Sequence, residues 1–193
     1  MGTLNLGSTQ ISSSGSTLVI PSNINLGGNW VDAPPGTIIT SNASALSSTF
    51  STTNDTQQDT GHSCSIVRKL PGGTGAGQSK VFVYLQGGCR DSNSSSGQDV
   101  TVLYRSINGG SDSEQRYMDS KYGSTAWLNH SAFYADTSTA PGAGDTVTYK
   151  MYVRSRGGSH TIYYHNVVGG VSQDVWLIAV SYTHLTLPTK RIV

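Results

Sequence analysis

Residues 145 to 154 read Asp-Thr-Val-Thr-Tyr-Lys-Met-Tyr-Val-Arg and alternate without a break. Val147, Tyr149, Met151 and Val153 fall on one face; Thr146, Thr148, Lys150, Tyr152 and Arg154 fall on the other. A period of two over this length is the signature of a strand with one buried and one solvated face. Such a strand needs pairing partners and a second apolar layer, so it commits the chain to a layered β-fold. Comparable runs recur along the sequence. Thr37 to Thr40, Ser63 to Leu70, Lys80 to Gln86, Asp99 to Ile107, Ala126 to Asp136, Thr161 to Val168 and Val175 to Ala179 also read as strands. Pro71 to Gly77, Asn108-Gly109-Gly110, Pro141 to Gly144, Gly157-Gly158-Ser159 and Gly169-Gly170 read as turns. Lys80 to Gln86 carries Val81, Val83 and Leu85 on one face and Phe82 and Tyr84 on the other, which places it centrally. Residues 41 to 61, 90 to 98 and 111 to 125 are polar and read as loops, the first a long one with weak pairing and Leu46 and Phe50 as isolated anchors. No segment combines a 3.6-residue period with helix caps. The expectation is an all-β jelly roll or β-sandwich of about eight antiparallel strands.

The first 35 residues are different. Short apolar islands, Leu4-Asn5-Leu6, Ile11, Leu18-Val19-Ile20, Ile24-Asn25-Leu26 and Trp30-Val31, sit in Ser, Thr, Gly and Asn with almost no charge. Each island is too small to bury itself in one chain. Three chains wound together could bury them on a shared axis, so residues 1 to 35 are expected to be a short extended or β-structured stem. A flexible linker is the plainer reading. Pro34-Pro35-Gly36 then interrupts pairing, because proline donates no ladder hydrogen bond. The head is expected over residues 36 to 179.

At the other end, Val180 to Thr189 reads Val-Ser-Tyr-Thr-His-Leu-Thr-Leu-Pro-Thr. That resembles the conceptual translation of a common transposase sequencing adapter, so residues 180 to 193 are expected to be an artefactual tail. Without Lys190 and Arg191 the basic residues fall from 12 to 10 against 11 acids, a formal charge of −1. A chain so balanced offers no polyanion-binding surface, and nucleic acid is not an expected partner. It has no apolar run long enough to span a bilayer, and no membrane is expected. The N-terminus lacks the charged and apolar regions of a signal peptide. Cys64 and Cys89 flank the glycine-rich turn almost symmetrically, which allows a cross-strand disulfide; two buried thiols packed as small apolar residues are the alternative. Neither a CxxC nor a Cys/His spacing suits zinc.

Several motifs invite a chemical reading. Asp59-Thr60-Gly61 matches the aspartic-protease triplet, but that chemistry needs a second carboxylate and an apolar approach strand, and Thr56-Gln57-Gln58 is polar. A turn leading into the following strand is expected instead. Gly72 to Lys80 is rich in glycine but lacks the phosphate-loop order and a following helix. His62, His130, His160 and His165 could meet across strands, yet nothing fixes their geometry, and scattered surface histidines are expected. Asn42, Asn54 and Asn129 open glycosylation triplets that chance supplies in a chain of this composition. Tyr104, Tyr117, Tyr122, Tyr152, Tyr163 and Tyr164 are many aromatics for so polar a chain; on loops they can stack on sugars or anchor protein contacts.

In order along the chain, Asp32 to Ile39, Asp59 to Ile66, Ser79 to Val83, Tyr134 to Thr137 with Thr148 to Val153, and Trp176 to Ala179 resemble the strand motifs of small phage virion proteins from environmental samples. The resemblance covers roughly residues 28 to 179. It implies a homotrimeric jelly roll, similar to tumour-necrosis-factor-like heads, on a stem that joins other virion proteins. It implies a tail-fibre or spike head in the virion that binds a host-surface glycan or protein through its loops. Capsid decoration is the first alternative. A virion-borne glycan hydrolase is the second; it needs paired carboxylates about 5 or 9 Å apart, and Asp99, Asp112, Glu114, Asp119, Asp136 and Asp145 are the acids at hand. The resemblance supplies no catalytic residue, no cofactor and no metal, so a non-enzymatic protein is expected. Loops 90 to 98 and 111 to 125 are where a ligand would be met, with Arg90, Tyr117 and Tyr122 as the candidate contacts.

Overall fold

The computed structural model describes residues 3–6, 9–14, 17–19, 38–46, 48–75, 77–92, 98–122, 128–156, 160–164, 166–168, 171–173 and 175–183. The chain divides into two units, Met1–Trp30 and Val31–Val193. In the first, β1 (Thr3–Leu6), β2 (Thr9–Ser14) and β3 (Thr17–Val19) form an antiparallel meander. Leu4 stands opposite Ile11 and Ser12 opposite Val19, so three of the apolar islands pair within one chain. Ile20, the Ile24 and Trp30 islands and the Pro34-Pro35-Gly36 junction lie outside the described residues.

The second unit is built from β4 (Ile38–Leu46), β5 (Phe50–Thr52), β6 (Gln58–Val67), β7 (Ser79–Asp91), β8 (Gln98–Ile107), β9 (Ser113–Tyr122), β10 (Leu128–Asp136), β11 (Thr146–Arg156), β12 (Ile162–Tyr164), β13 (Asn166–Val168), β14 (Val171–Gln173) and β15 (Val175–Thr183). Eight of these make two four-stranded antiparallel layers. One layer runs β6-β11-β8-β9. In the other, β15 lies between β4 and β7, and β10 pairs the far edge of β7. Beyond the end of β15, β12 takes over the same edge of β7 and carries β5 outside it. The strands β13 and β14 form a separate hairpin. This is an all-β jelly-roll sandwich, as the sequence predicts, and no described residue is helical.

The core is the space between the two layers. Val81, Val83 and Leu85 of β7 and Val175, Leu177 and Ala179 of β15 meet Val147, Tyr149, Met151 and Val153 of β11, with Cys64, Ile66 and Leu103 beside them. The alternation read in residues 145 to 154 is therefore the literal burial pattern of β11. Gly87 belongs to the same packing. A Cβ there would stand 2.4 Å from Val175 Cγ1, so the packing of Val175 of β15 against β7 needs a residue without a side chain.

A second, polar contact joins the layers at one end. Asp136, at the end of β10, is buried. Its carboxylate accepts bonds of 2.9 Å from Arg105 Nη1 of β8 to each oxygen, 2.7 Å from the Tyr149 hydroxyl of β11 and 3.0 Å from the backbone N–H of Ser138. Arg68, just past β6, is equally buried and donates through Nη2 to the Ser79 carbonyl at the start of β7. Burial lowers the Arg68 pKa, and the nearby Asp136 charge opposes that shift. Burial, with Asp136 adding to it, holds the Tyr149 hydroxyl well above its ordinary value.

Three expectations change. Residues 41 to 61 are not a loop: β4 continues through Leu46 along β15, β5 pairs β12, and β6 begins at Gln58. Asp59-Thr60-Gly61 is not a turn before a strand but a bulge within β6. Lys150 faces Ser63 and Tyr152 faces Asp59, so β6 spends two extra residues where β11 spends none. Gly61 sits there at φ +74°, a conformation suited to glycine, its N–H donates to Asp59 Oδ1 at 2.8 Å, and the Thr60 hydroxyl donates to the Met151 carbonyl at 2.8 Å. Residues 111 to 125 also hold a strand, β9, which pairs β8 with two register shifts. The count of eight strands stands, but β9 replaces the run Thr161 to Val168 among them. At the C-terminus β15 passes residue 179, with Ser181 opposite Val81 and Thr183 opposite Ser79.

Cys64 and Cys89 are both buried and neither is in a disulfide, so the thiol reading holds and the disulfide does not. Both thiols should resist a thiol reagent in the folded chain and react fully in denaturant; reaction of either at native rates comparable to a free thiol would contradict the packing. Asp136→Ala should destabilise the unit by about 3–5 kcal/mol, because it leaves buried guanidinium charge uncompensated. Urea unfolding at constant slope measures it, and a loss within ordinary surface-mutation scatter would contradict the burial.

Candidate functional site

The outward face of the β6-β11-β8-β9 layer is polar and aromatic, and the strand register sets it out in two rows. In one, Asp59, Tyr152, Val102 and Tyr117 stand side by side across the four strands. In the next, Ser63, Lys150, Tyr104 and Glu114 do. Tyr104 and Tyr152 are diagonal neighbours, and their rings lie 4.1 Å apart, tilted by 37°. Val102 points outward yet is fully buried, since tyrosines flank it on both sides. Tyr117 remains 49 % exposed and presents its ring to solvent at the sheet edge.

The hydroxyls of this face are held. Tyr104 donates to Gln57 Oε1 and lies 3.4 Å from Glu114 Oε2; Gln57 Nε2 donates to that same Glu114 oxygen at 3.0 Å. The Tyr152 hydroxyl donates to Asp112 Oδ2 at 2.6 Å, and Lys150 Nζ reaches the same oxygen at 2.9 Å. The Tyr152 hydroxyl bond is the main reason the Asp112 carboxyl sits below its ordinary range, with Lys150 and Ser106 adding to it and burial opposing. Burial, then the bond to Asp112, pushes the Tyr152 hydroxyl up. Burial and Glu114 do the same to Tyr104. Both phenols are therefore fixed, neutral donors at neutral pH.

The three residues singled out from sequence do not share one site. Tyr117 and Tyr122 are both on β9, not on a loop; Tyr122 faces Gln98, and its side chain lies outside the described set. Arg90 is on β7 in the opposite layer, where its guanidinium lies 5.0 Å over the ring of Tyr163 on β12. Residues 93 to 97 are outside the described set. Tyr104, Tyr152, Gln57, Asp112 and Glu114 complete the arrangement around Tyr117. Tyr104 and Tyr152 were visible in the sequence as outward positions of alternating strands. Gln57, Asp112 and Glu114 carried no local signal that they would converge.

The histidines also depart from expectation. His62 and His160 are buried, not on the surface. His62 Nδ1 lies 3.0 Å from the Tyr164 hydroxyl and Nε2 3.0 Å from the Ser44 carbonyl; since a carbonyl can only accept, Nε2 carries the proton and the tyrosine donates. His160 Nε2 lies 3.0 Å from the Ser155 hydroxyl. His165 and the His130 side chain are outside the described set. Among the described residues no three of His, Cys, Asp and Glu converge as metal ligands.

The outward face of the other layer is of opposite character. Phe82 packs on Phe133 with ring centroids 4.6 Å apart and on Tyr182 at 4.4 Å. Tyr84, Ile178 and Val180 share this face by register. Phe133 is 50 % exposed, Trp176 42 % and Ile38 65 %. These are three of the five large apolar side chains exposed among the described residues.

No protein-family model matches the chain, and no curated protein matches its sequence. Solved structures are similar in fold at low identity. One is the Eiger TNF of S. frugiperda, with TM-score 0.42 and 15 % identity over 79 % of this chain and 98 % of that one. Another is the CBM22-1 xylan-binding domain of Paenibacillus barcinonensis Xyn10C, with TM-score 0.33 and 13 % identity over 77 % of this chain and 97 % of that one.

The Asp112 geometry has a pH consequence. A carboxyl whose folded pKa is depressed contributes stability above its ordinary pKa and loses it as pH falls through the folded value. Tyr152→Phe should raise the Asp112 titration midpoint, read from the carboxyl carbon by NMR. The stability gap between the two proteins should be present at pH 6 and shrink as Asp112 protonates. An unmoved midpoint would refute the assignment.

Proposed function

We propose that this chain is a non-enzymatic virion protein of a phage, a homotrimeric tail-fibre or spike head that binds a host-surface ligand. One observation carries the self-association. An antiparallel sheet ordinarily buries one face and solvates the other. Here the β4-β15-β7-β10 layer buries Val81, Val83, Leu85, Leu177 and Ala179 inward and still presents Phe82, Tyr84, Phe133, Trp176 and Ile178 outward. A contiguous apolar patch of that kind is the mark of an interface. The occupant we assign is a second and third copy of this unit. The trimeric count and the virion setting are supported by the resemblance of the strand motifs to small phage virion proteins. The polar layer β6-β11-β8-β9 would then face outward and meet the ligand, and the first unit would join the head to other virion proteins. A binding role is favoured over decoration because Tyr117 is exposed beside a network of fixed polar groups.

Light scattering behind size exclusion should give three times the 20.3 kDa of the chain. Phe133→Glu places a charge at one of the most exposed side chains of the patch and should yield monomers that keep the wild-type circular dichroism. A monomeric wild-type protein at micromolar concentration would overturn the trimer.

A further inference from the structure

We infer that the outward face of the β6-β11-β8-β9 layer is a binding platform for an uncharged polysaccharide, with the Tyr117 ring as its stacking surface. This rests on the reading of the unit as a ligand-binding head and names the ligand class. Pyranose rings present a face of C–H groups edged by hydroxyls. Their recognition asks for an exposed aromatic ring beside planar, fixed hydrogen-bonding groups, an apolar surface with a few placed polar atoms. Tyr117 supplies the ring. Its neighbour across the strand pair is Val102, and beyond that Tyr152, so the row is apolar and aromatic from the sheet edge inward. The adjacent row supplies the polar groups. The Glu114 carboxylate is oriented by Gln57 Nε2, and Gln57 is itself held by the Tyr104 hydroxyl. Asp112 is fixed by Tyr152 and Lys150. The groups are ordered before any ligand arrives, which lowers the entropic cost of binding.

Charge decides the class of glycan. The carboxylates of Asp59, Asp112 and Glu114 share this face with Lys150, Arg154 and Arg156, and Lys150 is bridged to Asp112. The charges of the face balance, so it holds no cationic excess for a sulfated or carboxylated glycan, while its carboxylates can accept from the hydroxyls of a neutral one. A peptide would have to add a strand along the edge of β9, and the charged Glu114 and Arg116 of that edge disfavour such pairing.

The experiment is affinity electrophoresis of the full chain in native gels cast with dextran, mannan, laminarin or galactan, with dextran sulfate as the anionic comparison. Retardation is expected in at least one neutral gel and to persist in 0.5 M salt. It should fall at least tenfold in Tyr117→Ala and remain in Tyr117→Phe. Tyr117 is exposed, so its truncation leaves the fold intact, and circular dichroism confirms that arm. No retardation in any neutral gel, retardation only with dextran sulfate, or retardation unchanged in Tyr117→Ala overturns the inference. Adsorption to a panel of bacteria separates it from the reading it rests on. Binding lost after periodate treatment of the cells supports the platform. Binding that survives periodate and is lost to protease removes the glycan but keeps the ligand-binding head. Absence of adsorption to every strain counts against both.

Discussion

The Asp136 carboxylate is the contact on which the geometry of the second unit depends most. It ends β10 in one layer and takes its partners from β8 and β11 in the other, through Arg105 and Tyr149. The Arg68 guanidinium nearby, past β6, holds the Ser79 carbonyl where β7 begins. Apolar packing is non-directional and would tolerate the two layers sliding against each other. A buried, hydrogen-bonded ion pair is not so tolerant, because any shift leaves charge buried and unpaired. Its contribution is therefore to the register of the layers more than to their affinity, since a buried pair replaced by well-packed apolar groups is often no less stable.

Two local irregularities convert that register into the tyrosine face. The bulge at Asp59-Thr60-Gly61 shifts β6 against β11, so that Asp59 and not Gly61 stands beside Tyr152. The two register shifts between β8 and β9 bring Tyr117 beside Val102 and Glu114 beside Tyr104. Regular pairing would have advanced β9 by a fixed step and separated these rows. Bulges re-aim side chains at sheet edges, and β9 is the edge strand of its layer. The same edge exposes Glu114 and Arg116, charges by which an edge strand avoids pairing with another chain.

These irregularities also explain what could be read from the sequence. Strands with unbroken alternation and buried inward faces, β7, β11 and β15, were legible because the core imposes period two on them. β9 was not, because its bulges break the period and its edge position fills it with Glu, Arg, Asp and Lys, residues that composition assigns to loops. β4 was cut short at Thr40 for a related reason: Ser41, Asn42, Ala43, Ser44 and Ala45 have weak strand propensity, and only pairing with β15 holds them extended. For the candidate site, Tyr117 was legible as an aromatic in a polar stretch. The network beside it was not, since Tyr152 meets Asp112 and Tyr104 meets Gln57 across forty residues or more. The strand β15 raises a further point. Val180 to Thr183 resemble translated adapter, yet Val, Tyr and Thr are good strand formers, and they continue the ladder along β7 whatever the origin of their codons.

The two outward faces of the sandwich impose opposite requirements, and that bounds how the molecule can be used. The β4-β15-β7-β10 face, with Phe82, Phe133, Trp176 and Ile38, is poorly suited to water. The β6-β11-β8-β9 face, with Thr148, Lys150, Tyr152 and Arg154 along β11, is well suited to it. One sandwich cannot bury both faces against the same partner, because they point away from each other across the core. Self-association through the apolar face would therefore leave the tyrosine face outermost in every copy. A trimer of such units would present three copies of it, and a surface polysaccharide that repeats its own epitope could engage several at once. With an effective concentration in the millimolar range for linked sites, weak single contacts suffice for firm attachment. A single exposed ring such as Tyr117 is a small anchor by the standards of a protein interface, and repetition is the physical setting in which a small anchor is enough.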